Sequence, residues 1–360
     1  MEVTKGRKLN VNRSRMVRAC AIVLLGGLGW VVVASSALID GLGTVWANPS
    51  TTVSRYTGGT GASSTSDFYS LGCNRASAAA GTVVLAFGAP KYDSYYGWGV
   101  DPPGYASFWT INEVKDRAKQ FAAGVYACRS SSTNIAMVLG TSNDNVSYGG
   151  VQYSSGYAWA GMVKDVQAYV TAGTDWSPWV NAYAGNDVEP DFSTAYWVRE
   201  WYRGYGDVSS ARRVYDFGSA DGCPQSYYLS GGVYLSGQTS SPGSCNNSWT
   251  QDDVYYVSWG FTLAYSIPGI YTNFDSSGAF SPQSVQWERF VRYANLRYSR
   301  SMSISGVLTQ YTACSEVGCP SNEDNTPTQG YDQLWNSLQY IDSGSGAQSP
   351  GWLTDISWNQ

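Results

Sequence analysis

Histidine is absent from all 360 residues of the chain. Its absence excludes a Ser/His/Asp triad, a Cys/His nucleophile and any metal site that uses imidazole ligands. Charged residues are also scarce, at 14% of the chain, and acidic residues outnumber basic ones for a net charge of −5. Because phosphate binding needs clustered Lys and Arg, we do not expect nucleic acid to be a partner. Carboxylates are the groups that remain for acid–base chemistry.

The N-terminal segment has the features of an export signal. A run of basic residues precedes an uncharged stretch at residues 19–39, and small residues ending at Ala37 or Ala47 offer a cleavage site. The apolar run is also long enough for an uncleaved anchor. We therefore predict a signal peptide or membrane anchor at residues 1–47. The protein would be secreted or extracellular, with membrane contact only through this segment.

The cysteines predict a disulfide framework. One of the seven, Cys20, falls within the predicted signal, which leaves an even set of six. In an exported protein an even set favours three disulfides. Other pairings and a zinc site stay open, although no CxxC pair supports zinc. The simplest pairing joins sequence neighbours: Cys73 with Cys128, Cys223 with Cys245, and Cys314 with Cys319.

Residues 48–67 are mostly Ser, Thr and Gly, and we predict a spacer there. From residue 68 to residue 360, helix-like segments alternate with seven strand-like segments. Such alternation favours a parallel sheet with helical crossovers. We therefore predict an α/β fold for residues 68–360, a (β/α)8-like TIM barrel with a missing or degenerate strand allowed.

Residues 179–191, WVNAYAGNDVEPD, read as a buried strand that ends in carboxylates. Its even positions are apolar, whereas its odd positions, including Tyr183, Asp187 and Glu189, are polar or amphipathic. In a (β/α) barrel the polar face turns inward and reaches the C-terminal rim, where active sites lie. Asp187 and Glu189 would then point into the same space, and Tyr183 is a candidate substrate contact.

Two such carboxyl groups suit glycoside hydrolysis, in which one protonated acid works with a second carboxylate. The charge of Asp187 would raise the pKa of Glu189 and keep Glu189 protonated near neutral pH. The same two side chains, together with Asp191, also fit a calcium site or a capped strand end.

A series of short motifs resembles, in order, the landmarks of the family 25 lysozymes and kindred glycoside-hydrolase-like barrels: Asp187-Val188-Glu189, Ile270-Tyr271-Thr272 after Pro268-Gly269, Gln310-Tyr311, and Asp355. The resemblance covers the chain from about Trp179 onward. It implies that Glu189 protonates the glycosidic oxygen, that Asp187 assists, and that Asp355 contributes to the catalytic site. It further implies that Tyr271, Gln310 and Tyr311 line the substrate cleft.

The sequence departs from that family at the first strand. The family has an Asp at the end of its first strand, whereas the first apolar strand here ends in Leu85-Ala86-Phe87-Gly88. Ala86 cannot do the work of a carboxylate. Either the first strand lies elsewhere, or Asp216 or Asp144 substitutes, or full lysozyme activity has been lost.

Aromatic residues make up 15% of the chain and offer surfaces that could stack on sugar rings. We expect most of them to pack the core, with polar atoms bonded at the surface. The loop tyrosines 92, 95, 96 and 105 with Trp98 are the exception, and Trp98 is a candidate substrate contact.

Together these features predict an exported glycoside hydrolase that acts on a cell-wall or other amino-sugar polysaccharide, such as peptidoglycan, by carboxylate general acid catalysis. We expect a monomer that uses no cofactor and no metal. The alternatives are a non-catalytic surface protein that binds glycans on the same barrel, and a calcium-stabilised structural domain.

Overall fold

The computed structural model describes residues 49–57, 63–77, 80–103, 107–144, 149–224, 243–272, 280–320, 322–340 and 348–358. The predicted signal or anchor at residues 1–47 and the loop residue Tyr105 lie outside these ranges. Within them, no helix is both long enough and apolar enough to span a lipid bilayer.

The described residues form eleven strands in two sheets. In chain order the strands are β1 Thr51–Tyr56, β2 Ala80–Ala86, β3 Ala89–Asp93, β4 Gly97–Asp101, β5 Trp109–Thr110, β6 Asn134–Ser142, β7 Val180–Asp187, β8 Val214–Asp216, β9 Ala264–Ser266, β10 Gly306–Thr309 and β11 Trp352–Ser357. Eight of them form one sheet in the order β10-β11-β1-β2-β6-β7-β8-β9, and every neighbouring pair in it is parallel.

The two ends of this sheet meet along an irregular seam between β9 and β10. The Leu308 N–H donates to the Pro268 carbonyl at 2.9 Å, and the Ile270 N–H donates to the Leu308 carbonyl at 2.9 Å. Pro268 has no N–H to donate, so a regular ladder cannot continue there. The eight strands thus form a nearly closed barrel, which confirms the predicted (β/α)8-like fold with a degenerate strand.

The first barrel strand lies inside the stretch predicted as a spacer. Thr51–Tyr56 forms β1 and pairs with β11 on one side and β2 on the other. Its composition is that of a linker, but its buried hydroxyls are bonded inside the sheet. Ser54 Oγ lies 2.7 Å from Thr354 Oγ1 and accepts from the Val84 N–H at 2.8 Å. The spacer prediction for residues 48–67 is therefore corrected, and β1 is the barrel strand that the sequence pattern missed.

Helices cover the outside of the barrel between successive strands. They are α1 Thr65–Ala76, α2 Ile111–Cys128, α3 Gly149–Thr171, α4 Ala195–Gly206, α5 Gln251–Tyr255 with a π-helical turn at Tyr256–Gly260, α6 Pro282–Tyr298, α7 Tyr311–Val317 and α8 Pro327–Tyr340. A capping box of Thr110 and Glu113 begins α2, as the Thr-x-x-Glu spacing indicates, and Ser281 caps α6 ahead of Pro282.

Apolar side chains pack in two layers, one between the strands and the helices and one inside the barrel. Phe217 belongs to the inner layer and is fully buried. A Cβ atom on Gly140 of β6 would come within 2.6 Å of the Phe217 ring, and one on Gly185 of β7 within 2.8 Å. These glycines leave space for the Phe217 ring, whose burial contributes roughly 2–3 kcal/mol to the free energy of unfolding.

The three disulfides predicted from cysteine parity are present. Cys73–Cys128 joins α1 to the end of α2, Cys223–Cys245 closes a loop after β8, and Cys314–Cys319 closes the turn after α7. Loop closure by the second of these contributes about 3 kcal/mol in the chain-entropy picture.

A small antiparallel sheet of β3, β4 and β5 follows the end of β2. The Asp93 carboxylate accepts from the Tyr95 and Tyr96 N–H groups at 2.8 and 2.9 Å, which fixes the turn between β3 and β4. These hydrogen bonds involve only the backbone of the two tyrosines, and their rings are exposed, Tyr95 by 85% and Tyr96 by 63%. We call the β3–β4 pair the hairpin below.

Candidate active site

Strands β1 and β7 bring a tyrosine and two carboxyl groups together at the C-terminal rim of the barrel. Asp187 is the last residue of β7, and Glu189 follows after Val188. Tyr56, the last residue of β1, donates its hydroxyl proton to Asp187 Oδ2 at 2.9 Å. Both carboxyl groups therefore lie at the barrel mouth, which is the arrangement that their spacing predicts.

Asn143, which follows β6, holds the backbone of Glu189 in place. Its Oδ1 accepts from the Glu189 N–H at 2.9 Å, and its Nδ2 donates to the Glu189 carbonyl at 2.8 Å. Nδ2 also donates to Ser193 Oγ at 3.1 Å. Because Pro190 cannot continue the sheet, these two hydrogen bonds take the place of strand pairing for the Glu189 backbone and hold Glu189 beside Asp187.

The Asp187 carboxyl group is 8% exposed, and among the described residues its Oδ1 has no hydrogen-bond partner. Burial raises the pKa of Asp187, and the hydrogen bond from Tyr56 opposes that rise. The hydroxyl of Tyr56 thus favours the charged form of Asp187 against the effect of its surroundings.

Glu189 is less buried than Asp187 but lies closer to other acids. Burial raises its pKa first, followed by the charges of Asp187, Asp221 and Asp191. The pair therefore retains a proton near neutral pH. Because the Tyr56 hydroxyl stabilises the charge on Asp187 and neighbouring acids raise the pKa of Glu189, Glu189 is the favoured holder of that proton.

The charges of this pair act on Tyr271, which is not among the residues that line the cleft described below, so the cleft contact implied by the resemblance stays a prediction. Burial and then the charges of Asp187 and Glu189 raise the pKa of its hydroxyl, which therefore stays protonated and can donate. Its backbone N–H donates to Gln283 Oε1 at 2.6 Å, which ties it to the start of α6.

Asp221 is a further acid of the mouth that sequence reasoning missed. Burial raises its pKa, the nearby Ser219 hydroxyl opposes that rise, and the charge of Asp191 raises it again. It follows β8 and precedes Cys223. Its position just beyond a barrel strand is a signal that could have identified it.

A cleft of about 800 Å³ opens beside Asp187. Tyr92 and Trp98 of the hairpin line it with rings packed edge to face at 5.2 Å. Tyr56 and Asp187 line it on the barrel side. Trp98 thus lines the cleft, and its contact with a substrate stays a prediction. Asp187, rather than Glu189, is the acid of the pair that lines this cleft.

Asp355 lies apart from this pair and caps α7. Its Oδ1 accepts from Thr309 Oγ1 at 2.6 Å and from the Tyr311 N–H at 2.9 Å, and its Oδ2 accepts from the Thr312 N–H at 2.9 Å. Both oxygens are engaged with the start of a helix, where a negative charge is favoured. The geometry therefore gives Asp355 a structural role at the start of α7, and the catalytic contribution implied by the resemblance stays a prediction.

Gln310 and Tyr311 mark the same helix start. Gln310 Nε2 donates to the Glu323 carbonyl at 3.1 Å, and the Tyr311 ring is 45% exposed. Neither residue lines the cleft beside Asp187, so the cleft contacts implied for them are not seen there.

Tyr183 lies at the opposite end of the barrel from Asp187. It packs edge to face on Tyr215 at 5.7 Å and lines a second cavity together with Pro49 and Trp352, at the N-terminal ends of the strands. Tyr183 is four residues before Asp187, or about 13 Å along a strand. The prediction that Tyr183 contacts substrate at the mouth is corrected for this reason.

The end of the true first strand carries Tyr56 and no carboxylate. Ala86 belongs to the second barrel strand, β2, so the first strand does lie elsewhere in the sequence. Asp216 does not fill the place of a first-strand acid, because its carboxyl group bonds to Ser258 beside α5. Asp144 does line the cleft.

Within the described residues, no three or more Cys, Asp or Glu side chains are grouped so as to hold a metal ion. Asp187, Glu189 and Asp191 are therefore not grouped as metal ligands in the described part of the chain, and the calcium alternative stays a hypothesis. Asp191 itself is exposed.

Comparison with protein-family models and with curated protein sequences finds no match for this chain. Among solved structures, the chain is similar to an endo-1,4-beta-mannanase from Rhizomucor miehei, with a TM-score of 0.36 and 13% sequence identity. The similarity covers 84% of this chain and 86% of that chain. The barrel assignment rests on the strand topology, and the resemblance to family 25 lysozymes continues to rest on the motifs.

Proposed function

We propose that this chain is an exported glycoside hydrolase that acts on a cell-wall or other amino-sugar polysaccharide, with Glu189 as general acid. The observation that carries the proposal is the pair of carboxyl groups at the end of β7, where burial raises both pKa values. The three disulfides are compatible with export.

In the proposed reaction Glu189 donates its proton to the glycosidic oxygen as the bond to the sugar breaks. Asp187, held by the Tyr56 hydroxyl, keeps a negative charge next to the developing positive charge on the sugar ring. Once Glu189 has lost its proton, two negative groups stand side by side. A water molecule adds its oxygen to the anomeric carbon to form the new reducing end, and the proton that it releases returns to Glu189, because repulsion between the two carboxylates favours that recovery.

Aromatic side chains supply the binding surface in this proposal. Trp98 and Tyr92 on the hairpin face the barrel side of the cleft, and Phe192 and Trp358 also line it. Flat aromatic rings give a sugar a large contact area with little loss of side-chain freedom. A polymer lying along the hairpin would pass Asp187.

The test replaces Glu189 with Gln, which preserves shape but removes the proton. Release of reducing ends from peptidoglycan or chitin-like polymers should fall by roughly a hundredfold to ten-thousandfold. Retention on the same insoluble polymers should be unchanged. Glu200→Gln, on the outer helix α4, is the matched control and should cleave as the wild type does.

A non-catalytic glycan-binding protein is the second candidate, because Asp187 and Trp98 line the cleft whereas Glu189 does not. In that case the wild type would bind the polymers without releasing reducing ends. Glu189→Gln would then have no effect, and Trp98→Ala would weaken retention. A catalytic chain would lose both retention and cleavage on Trp98→Ala.

A further inference from the structure

Two buried acceptor oxygens of the cleft-lining residues have no partner among the described residues. They are Asp187 Oδ1 and Gln152 Oε1. Asp187 is 8% exposed and Gln152, on α3, is 4% exposed. A buried acceptor without a donor is costly to a fold, and two of them in the walls of one cleft point to a ligand that brings the donors.

The cleft as a whole has an excess of negative charge. Asp101, Asp144 and Asp187 line it, and Lys91 is the cation among its lining residues. The Lys91 ammonium lies 3.1 Å from the Asp101 carboxylate, so these two charges offset each other. Within the described part of the chain, Asp144 takes part in none of the ion pairs. A cationic group of a ligand would therefore find an acid that no protein cation neutralises.

Aromatic rings across the cleft suit the body of a sugar. Tyr92 and Trp98 lie on the hairpin, and the acidic groups lie toward β6 and β7. A sugar ring that stacks on Trp98 would turn its substituents toward Asp144, Gln152 and Asp187.

We propose that Asp144, Gln152 and Asp187 form a subsite for a sugar with a free, protonated amino group, as in a de-N-acetylated amino-sugar polymer. An ammonium group brings three donors and a positive charge. The acetamido group of an N-acetylated sugar has one N–H donor, and its carbonyl oxygen would face the acceptor oxygens of the subsite unfavourably. A neutral hexose has no positive charge to pair with the acids. This inference rests on the proposed function only in taking a saccharide as the ligand.

The first measurement compares three β-1,4-linked oligomers of equal length by calorimetric titration of the full chain: glucosamine, N-acetylglucosamine and glucose. The glucosamine oligomer should bind about tenfold more tightly than the other two, the gain expected of a charge-assisted hydrogen bond. Its advantage should shrink at high salt, because a partly exposed ion pair is screened.

Single substitutions test whether the preference for the glucosamine oligomer arises in the cleft. Asp144→Asn removes one charge at constant shape and should weaken binding of the glucosamine oligomer roughly three- to tenfold, leaving the N-acetylated oligomer unaffected. Asp116→Asn removes the same charge on the exposed surface of α2 and should change neither affinity.

Gln152→Met separates a binding role of Gln152 from a structural role, because two quantities are measured, the unfolding temperature and the affinity for the glucosamine oligomer. It removes an unpartnered buried acceptor, so the unfolding temperature should hold or rise while glucosamine affinity falls. A fall in both quantities would contradict a binding role for Gln152.

Equal affinity for the three oligomers, tighter binding of the N-acetylated one, or no binding of any would overturn the subsite. So would equal effects of Asp116→Asn and Asp144→Asn. If Glu189→Gln leaves cleavage unchanged while the amine preference persists, the proposed hydrolysis fails and the subsite stands. If Glu189→Gln abolishes cleavage but the wild type shows no preference for the amine, the proposed hydrolysis stands and the subsite fails.

Discussion

Replacement of Asp216 with Asn tests whether the barrel holds a protonated carboxyl group in its wall. The side chain is 1% exposed, and its Oδ2 lies 2.6 Å from Ser258 Oγ, which lies 2.7 Å from the Val254 carbonyl. The Ser258 hydroxyl donates to Asp216 Oδ2, and the Gly218 N–H donates to Oδ1 at 3.2 Å, whereas burial of the side chain favours the neutral acid. An Asn side chain is neutral, has nearly the same shape and keeps an oxygen that accepts from Ser258.

The size of the effect follows from the pKa. Burial raises the pKa of Asp216 from 3.8 to about 7, against the opposing hydrogen bonds of Ser258 and Gly218. The folded state thus holds a proton that the unfolded state releases, so the contribution to stability is complete below about pH 4 and is lost as pH rises through about 7. At about 1.4 kcal/mol per pH unit, the loss for this group is about 4 kcal/mol.

Urea unfolding at pH 4, 6 and 8 with the disulfides intact measures the free energy of unfolding. The Asp216→Asn variant should match the wild type at pH 4 and exceed it at pH 8. Asp187 and Glu189 also make the free energy of unfolding fall with rising pH, and they do so equally in both proteins. The surface variant Asp116→Asn should show the same pH dependence as the wild type. A variant less stable than the wild type at pH 8, or one with an identical slope, would refute the protonated state of Asp216.

Two further variants test the barrel mouth. Gly140→Ala would press a methyl group into the Phe217 ring and should cost about 1–3 kcal/mol of unfolding free energy. Gly161→Ala on α3, where a Cβ meets nothing within 4 Å, should instead hold or gain about 0.5–1 kcal/mol, so equal thermal shifts would contradict the packing account. Tyr56→Phe removes the hydrogen bond that lowers the pKa of Asp187, so the acidic limb of the pH dependence of hydrolysis should move to higher pH. An acidic limb that stays in place would mean that Asp187 does not set it.

The local features of the fold were predictable because each lies within a few residues of sequence. The two-residue period of β7 places Asp187 and Glu189 at the rim, and the capping box of Thr110 and Glu113 marks the start of α2. In both cases the physical signal, a strand period or a cap, is contained in the segment itself. The disulfides were predicted instead from even cysteine parity and the pairing of sequence neighbours, although Cys73 and Cys128 are 55 residues apart.

Strand β1 was hidden because its polar residues find partners far away in the chain. Ser54 bonds to Thr354, 300 residues later, and a sequence window cannot show that such a hydroxyl will be satisfied. Without that partner, burial of Ser54 would be unfavourable, and a linker is the natural prediction.

The amino-acid sequence by itself excluded histidine from any acid–base work and placed Asp187 and Glu189 at one end of a strand. The tertiary structure decided which groups surround them. Tyr56 reaches Asp187 across 131 residues, whereas Asp355 turns away to cap α7. The reason is physical: strand register sets the face on which a side chain lies, and long-range pairing sets that register.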